Sequence, residues 1–358
     1  MTPIVVITGV DPDVIESVTV ATQFDLPDPV VAAYRIDDAT NQLVRTVSDI
    51  RGRLETERVE LDHGCTSCAI REDVIPTLRR LQELDRWGAI VAQLPAGASA
   101  LQVCRVCALQ TELDGLPLHI HGVVAAVRGD TVVPDLTSDL TLGEHGVPTF
   151  AGDDRGLAET LAGIVEYADA VQLLGPADAA GTDLLNALRR PSSLLATDWA
   201  DLPGGQLVTG IHAHRQAEKW VAEVRRHDLP ALDSDHVWSL DLCADRPLHP
   251  DRFASALETM CVGSHRIRGC VWLPTRATVC VLDGAAGQVR LGAHGPWNGA
   301  PTSRLTVVGL RDHAEPTDIC RAFADCALTD DELLARGTRW NVRRDGLEPW
   351  LGGVHDLI

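Results

Sequence analysis

Short runs of consecutive apolar residues constrain the fold of this chain more than any other feature. Residues 4–7, 30–33, 89–94, 123–127 and 171–174 are apolar throughout or nearly so, are bounded by turn or charged residues, and several are separated by stretches of helical spacing. A strand buried on both faces reads as a continuous apolar run rather than an alternating one, so this pattern predicts an α/β fold with a mostly parallel sheet. The clearest helix spans residues 71–85, where Val74, Leu78, Leu81 and Leu84 recur at three- and four-residue spacing opposite Arg79, Arg80 and Glu83, with Pro76 kinking its first turns. A second, charged helix over residues 216–227 precedes Pro230, and a domain boundary near Ser234 divides the chain into 1–233 and 234–358. From His236 the pattern becomes α+β. Strands are predicted at 237–242, 269–273, 279–282 and 305–310, and helices over 250–259 and 316–326.

Composition sets limits on function. The chain carries 51 acidic against 31 basic residues, a net charge of −20, which repels nucleic acid at long range and favours protein partners. The basic pairs Arg79-Arg80, Arg225-Arg226 and Arg343-Arg344 lie near acidic residues and read as solvated helix faces. No run approaches the roughly 20 apolar residues of a membrane span, and the first residues lack a basic, signal-like region, so a cytoplasmic protein is expected. Its ten cysteines are spread along the chain and read as reduced thiols or metal ligands rather than a disulfide framework.

The first strand leads through Thr8-Gly9 to a helix starting at Pro12, with Asp11 or Asp13 as cap. A phosphate-binding loop would continue from Gly9 through four free positions to Gly-Lys-Ser/Thr, where backbone amides cradle phosphate, Lys neutralises it and the hydroxyl holds Mg²⁺. Those three positions are Val14, Ile15 and Glu16. Efficient GTP or ATP hydrolysis is therefore not expected.

The strongest positive signal is His63-Gly64-Cys65-Thr66-Ser67-Cys68, followed by Ala69-Ile70-Arg71-Glu72-Asp73. Two thiols three residues apart at a helix start can face one soft metal, and the positive end of the helix favours thiolates. Cys104 and Cys107 form a second such pair, but the 35 intervening residues, 69–103, exceed the roughly 15 to 20 of a compact zinc ribbon. These two read as small apolar residues packing a helix. His212, His214, His249 and His265 are further candidate ligands, with His249-Pro250 reading as a turn at a helix start. The remaining cysteines read as core, and Trp297, Trp340 and Trp350 as core anchors or a partner surface.

The cysteine segment resembles the Gly-Cys-x-Cys-Cys motif of the CobW-like GTPases, which include zinc metallochaperones. Cys65 and Cys68 match its outer cysteines, and Ser67 stands in place of the middle one, a poorer zinc ligand. The resemblance extends along nearly the whole chain. Residues 5–16 are similar to the family's first strand with a degraded P-loop, Ala89–Gly97 to its strand and switch loop, and Gly175-Pro176-Ala177-Asp178 to its guanine-reading Asn-Lys-x-Asp, of which only Asp178 is retained. Arg246-Pro247-Leu248-His249-Pro250-Asp251-Arg252-Phe253 resembles the signature of the family's C-terminal domain. The missing lysine, Cys-x-Ser-Cys and Leu94-Pro95-Ala96-Gly97 are most similar to the actinobacterial branch, MRF, that recruits a ribosome hibernation factor.

The resemblance implies a degenerate P-loop NTPase-like domain over 1–233 and a smaller α+β CobW C-terminal domain over 234–358. It implies an adaptor that brings a hibernation-promoting factor to ribosomes under zinc limitation, through protein contacts, with little or no GTP hydrolysis. The alternative is a zinc-binding metallochaperone or zinc sensor. Gly9 and Asp178 are what is left of a nucleotide site, and Cys65, Cys68 and His63 are the implied zinc ligands.

Overall fold

The computed structural model describes residues 2–37, 40–61, 65–114, 118–312 and 316–354. The chain divides into two compact units, Met1–Asp135 with Leu140–Val221 and Leu136–Asp139 with Ala222–Ile358.

In chain order the first unit contains β1 (Ile4–Gly9), α1 (Pro12–Asp25), β2 (Pro29–Asp37), β3 (Gln42–Asp49), β4 (Gly52–Glu60), α2 (Thr66–Ala69), α3 (Ile75–Leu84), β5 (Ala89–Gln93), α4 (Ala100–Asp114) and β6 (Ile120–Arg128). There follow α5 (Val132–Leu136), α6 (Leu157–Tyr167), β7 (Ala170–Leu174), α7 (Ala179–Leu188), β8 (Leu194–Ala196), α8 (Gly204–Leu207) and α9 (His214–Val221). Among the described residues its sheet has eight strands in the order β4-β3-β2-β5-β1-β6-β7-β8. From β2 to β8 every neighbouring pair is parallel, as the continuous apolar runs predict, while β3 and β4 extend the sheet as an antiparallel hairpin. Both β1 and β5 are fully buried or nearly so, and α1 lays Val14, Ile15 and Val18 onto the same cluster as Val5, Ile7, Val91 and Val124.

The β3–β4 hairpin has no apolar run to announce it. In β3 buried and half-buried residues alternate, and β4 is a charged edge strand whose side chains are mostly exposed, which discourages pairing with another sheet. Arg45 of β3 fastens the hairpin to the helical layer, donating to Asp73, to Glu57 and, at 3.0 Å, to Thr77.

Two expected helices differ in extent. The one expected at 71–85 starts earlier, at Thr66, and a π-helical turn over Ile70–Val74 joins α2 to α3. Pro76 has no amide hydrogen to close the α-helical bond, and a wider turn just before it accommodates the loss. The charged helix expected at 216–227 is His214–Val221. Beyond it, Arg225 of the second unit is 3% exposed and pairs with Asp241 of the same unit at 2.6 Å. The division between units accordingly falls after Val221, ahead of the Ser234 position read from sequence.

The second unit contains β9 (Val237–Ala244), α10 (Pro250–Cys261), β10 (His265–Val271), β11 (Thr278–Ala285), β12 (Gln288–Pro296), β13 (Ser303–Leu310), α11 (Pro316–Cys326), α12 (Asp330–Arg336) and α13 (Glu348–Leu351). Its strands pair antiparallel in the order β12-β11-β10-β13-β9, and Phe253, Met260 and Phe323 of the helices pack with Ile267, Leu282 and Val307 of the sheet. Cys261, Cys270, Cys280 and Cys326 are buried there as small apolar residues, and burial pushes the Cys261 and Cys280 thiols up to about 12, so they stay protonated.

One ion pair is wholly inside this unit. Arg276 and Asp345 have side chains 2% and 1% exposed, joined by two 2.7 Å hydrogen bonds, and Asp345 also accepts from Thr275 and from the Leu347 amide. Burial opposes ionisation of Asp345, but these donors outweigh it and hold its carboxyl below the usual range. Its stabilisation is present above the ordinary carboxylate pKa and is lost as pH falls through the lowered folded value. Asp345→Ala, which strands a buried guanidinium, is expected to cost about 3–5 kcal/mol in urea unfolding at neutral pH.

Candidate nucleotide crevice and metal ligands

Strand order reverses around β1, with β5 on one side and β6 on the other. In open α/β sheets ligands bind at such a switch point, beyond the C-terminal ends of the strands. Here that position is filled by the protein itself. A Cβ on Gly9 would lie 2.6 Å from the Ala126 carbonyl oxygen, so the strand end is packed against β6, and only Val10 and Asp11 separate it from α1. Asp11 caps the helix, accepting from the amides of Asp13 at 2.9 Å and Val14 at 3.2 Å. Arg128, at the end of β6, donates to the same carboxylate from Nε at 2.8 Å and from a terminal nitrogen at 2.5 Å.

The amides at the start of α1 and the Arg128 guanidinium thus converge on an internal carboxylate. The switch-like loop is fastened as well. The Gly97 amide donates to the Gly9 carbonyl at 2.7 Å, and Thr8 donates to the Ala98 carbonyl at 2.5 Å. Arg155 reaches the Gly97 carbonyl at 2.6 Å while paired to Asp153 through both its oxygens. Val14 and Ile15, at the loop's glycine and lysine positions, are core residues, and Glu16 is exposed. Asp178, at the same end of the sheet beyond β7, caps α7 by accepting from the Gly181 amide at 2.7 Å.

The cysteine motif sits at a helix start, as its sequence suggests. Cys65 is the N-cap of α2 and half-buried, and Cys68, one turn on, is buried with the Arg71 guanidinium donating to its sulfur at 3.6 Å. Ser67 points elsewhere, donating to Gln102 of α4 at 3.1 Å. His63 lies outside the described residues. Of the other candidate histidines, His249 caps α10 and packs edge-on against Trp340, and buried His265 is bonded to the Met260 carbonyl at 2.8 Å.

A second group joins residues that the sequence presents separately. Cys104 of α4, His212 and His214 each bring one ligand atom within 4.8 Å of the others. Cys104 is 3% exposed, so the expectation that it is buried on its helix holds, but it packs against two imidazoles. Burial pushes the Cys104 and Tyr167 pKa values up and the His214 value down, keeping all three neutral in the unliganded protein. Cys107 lines a cleft of about 340 Å³ at this group, together with Cys104, His119, His212, His214 and Arg215. No spacing rule connects positions 104 and 212, although His-x-His was a visible signal.

These features define a class: an α/β unit with a mostly parallel sheet whose switch-point crevice is closed by its own side chains, followed by an antiparallel α+β unit. Residues 237–327 match the cobalamin synthesis protein cobW C-terminal domain. The chain is 29% identical to the zinc chaperone Rv0106 of Mycobacterium tuberculosis, over 90% of this chain and 87% of that protein. It is 21% identical to the zinc-regulated GTPase metalloprotein activator 1 of Dictyostelium discoideum, over 67% of this chain and 54% of that protein. The solved structure of Zn(II)-bound YjiA GTPase from E. coli aligns with 92% of this chain and 100% of that chain, at 16% identity and a TM-score of 0.37. The chain is thus similar to CobW-like proteins over most of its length, and residues 237–327 match the family's C-terminal domain.

In that family's C-terminal signature the residues of this chain are structural. His249 and Pro250 start α10, and Arg252 forms a two-pronged pair with Glu332 at 2.7 and 2.9 Å. In the crevice, Asp11→Ala removes the helix cap and is expected to lower stability by roughly 0.5–2 kcal/mol in thermal or urea unfolding.

Proposed function

We propose that this chain is a zinc-handling CobW-like protein that acts by binding and not by nucleotide turnover. The observation that carries the reading is the Asp11 carboxylate, capping α1 and paired to Arg128 where a phosphate would otherwise sit. Phosphoryl transfer depends on positioning and charge stabilisation, and a carboxylate at this place opposes both. Zinc is supported by the names of two relatives and by thiols at the start of α2, a donor type that zinc favours. Among the described residues no helix is long and apolar enough to cross a membrane, in keeping with work in the cytoplasm. A steady-state phosphate-release assay is expected to show no appreciable GTP or ATP hydrolysis. Turnover that disappears on mutating Asp178 would sink the reading.

A more specific role is an adaptor that brings a hibernation-promoting factor to ribosomes under zinc limitation. What supports protein contacts over RNA is the use of arginine inside the units. Arg45, Arg128, Arg155, Arg190, Arg266, Arg276 and Arg304 are all paired with carboxylates, which leaves an acidic surface on a chain of net charge −20. Attraction between such a surface and a basic protein weakens as salt shortens the Debye length, to about 8 Å at physiological ionic strength. Affinity for a purified hibernation factor is expected to fall over a salt series while naked ribosomal RNA binds weakly throughout. Tight RNA binding with a slope of several released counterions would overturn the adaptor reading.

A further inference from the structure

We infer that Cys104, His212 and His214 form a Zn²⁺ site, separate from the Cys65 and Cys68 helix start, with a fourth coordination position facing the adjoining cleft. The first support is convergence. The three ligand atoms lie within 4.8 Å of one another, and the Tyr167 hydroxyl stands among them, 2.8 Å from His214 Nδ1, 3.3 Å from His212 Nε2 and hydrogen-bonded to Cys104. One hydroxyl proton and one thiol proton are shared there among two imidazole nitrogens, an oxygen and a sulfur, which is a set of lone pairs directed at a common point.

The second support is independent of the first and concerns the far side of each ring. His212 Nδ1 is 2.8 Å from Asp169 Oδ2, and His214 Nε2 is 3.6 Å from Glu218 Oε2. Asp169 therefore holds the His212 ring N–H, leaving Nε2 turned toward Tyr167 and Cys104, while Glu218 stands beside His214 at ion-pair and not hydrogen-bond distance. The Asp169 contact is the arrangement that fixes tautomer and orientation in metal-binding histidines. The carboxylates are themselves anchored. Asp169 accepts from Arg190 at 2.5 Å and from the Val123 amide at 2.8 Å, and Glu218 from Arg105 at 2.7 Å.

One thiolate with two imidazoles is a borderline-soft donor set that suits zinc and disfavours Ca²⁺ and Mg²⁺, which take oxygen. Zinc bonds of about 2.3 Å to sulfur and 2.0–2.1 Å to nitrogen require only a modest closing of the three donors, with Tyr167 giving up its bridging bonds. On binding, the Cys104 thiol releases its proton to solvent and the imidazoles bind as neutral ligands. Burial is graded to match, with the His212 side chain 3% exposed and that of His214, nearer the cleft, 22% exposed. Three protein ligands and one open position describe a site that can exchange its metal.

The inference stands on this geometry and not on the nucleotide reading, and phosphate release measured on the same protein separates the two. The test titrates the purified full chain with Co²⁺ as a spectroscopic probe, then with Zn²⁺ as competitor. A sulfur-to-cobalt charge-transfer band with intense tetrahedral visible bands is expected, and Zn²⁺ should abolish both. With Cys65→Ala and Cys68→Ala the band should remain, and in that background Cys104→Ser should remove it. His214→Ala, at the more exposed ligand, should lower affinity at least about 10-fold with the circular dichroism unchanged, and it decides the matter if Cys104→Ser fails to fold. The inference is overturned if no band forms, if Zn²⁺ fails to displace Co²⁺, if the band is lost on removing Cys65 and Cys68, if in their absence it survives Cys104→Ser in a folded protein, or if affinity in that background is unchanged by His214→Ala.

Discussion

Strand β1 is hydrogen-bonded along both edges, to β5 and to β6, and the rest of the first unit is arranged around that double pairing. It fixes where the sheet reverses its order, and so where a ligand crevice must open. It also brings Gly9 so close to Ala126 that the chain leaving the strand has one direction available. With two residues before α1, there is no loop to wrap a phosphate, and the helix start meets Arg128 through Asp11. Closure of the crevice is thus a property of the backbone path as much as of the missing side chains.

The two ends of the same sheet are put to different uses. Gly9, Asp11, Arg128 and Asp178 gather beyond the C-terminal ends of the strands. Asp169 immediately precedes β7, and the amide of His212 bonds to the carbonyl of His121 near the beginning of β6. A carboxylate that accepts from the sheet's own backbone at Val123 also orients His212, so the position of that ring is inherited from the strands and not from a surface loop. Helix α4 runs from the end of β5 to the beginning of β6, bearing Gln102, which holds Ser67, and Cys104.

How much of this was legible beforehand depended on whether the signal was local. Buried parallel strands show as unbroken apolar runs, so the core of the sheet was readable, as was α11 from Pro316 to Cys326, while the α1 cap was narrowed to Asp11 or Asp13 and is Asp11. The β3–β4 hairpin was not, because a solvated edge strand such as Gly52–Glu60 has the composition of a loop. The π turn before Pro76 was foreshadowed only as a kink. The absence of the Gly-Lys-Ser/Thr residues could be read from Val14, Ile15 and Glu16, but the pairing of Asp11 with Arg128 could not, since the two meet only through the sheet. The group of Cys104, His212 and His214 was hidden for the same reason. Its members stand far apart along the chain, and the 107 residues between Cys104 and His212, 105–211, carry no spacing rule that would unite them.

Val14 and Ile15 occupy the positions where related loops place glycine and lysine, and both are inside the protein. A lysine restored at position 15 would enter the cluster of Val5, Ile7 and Leu26, where an ammonium finds no partner. A glycine at 14 would empty a packed site on a helix that has already begun. Each step back toward a working loop is therefore destabilising on its own and gains nothing until the others are made. The hydrophobic core, and not only the identity of the loop residues, therefore stands against a phosphate-binding loop at this position.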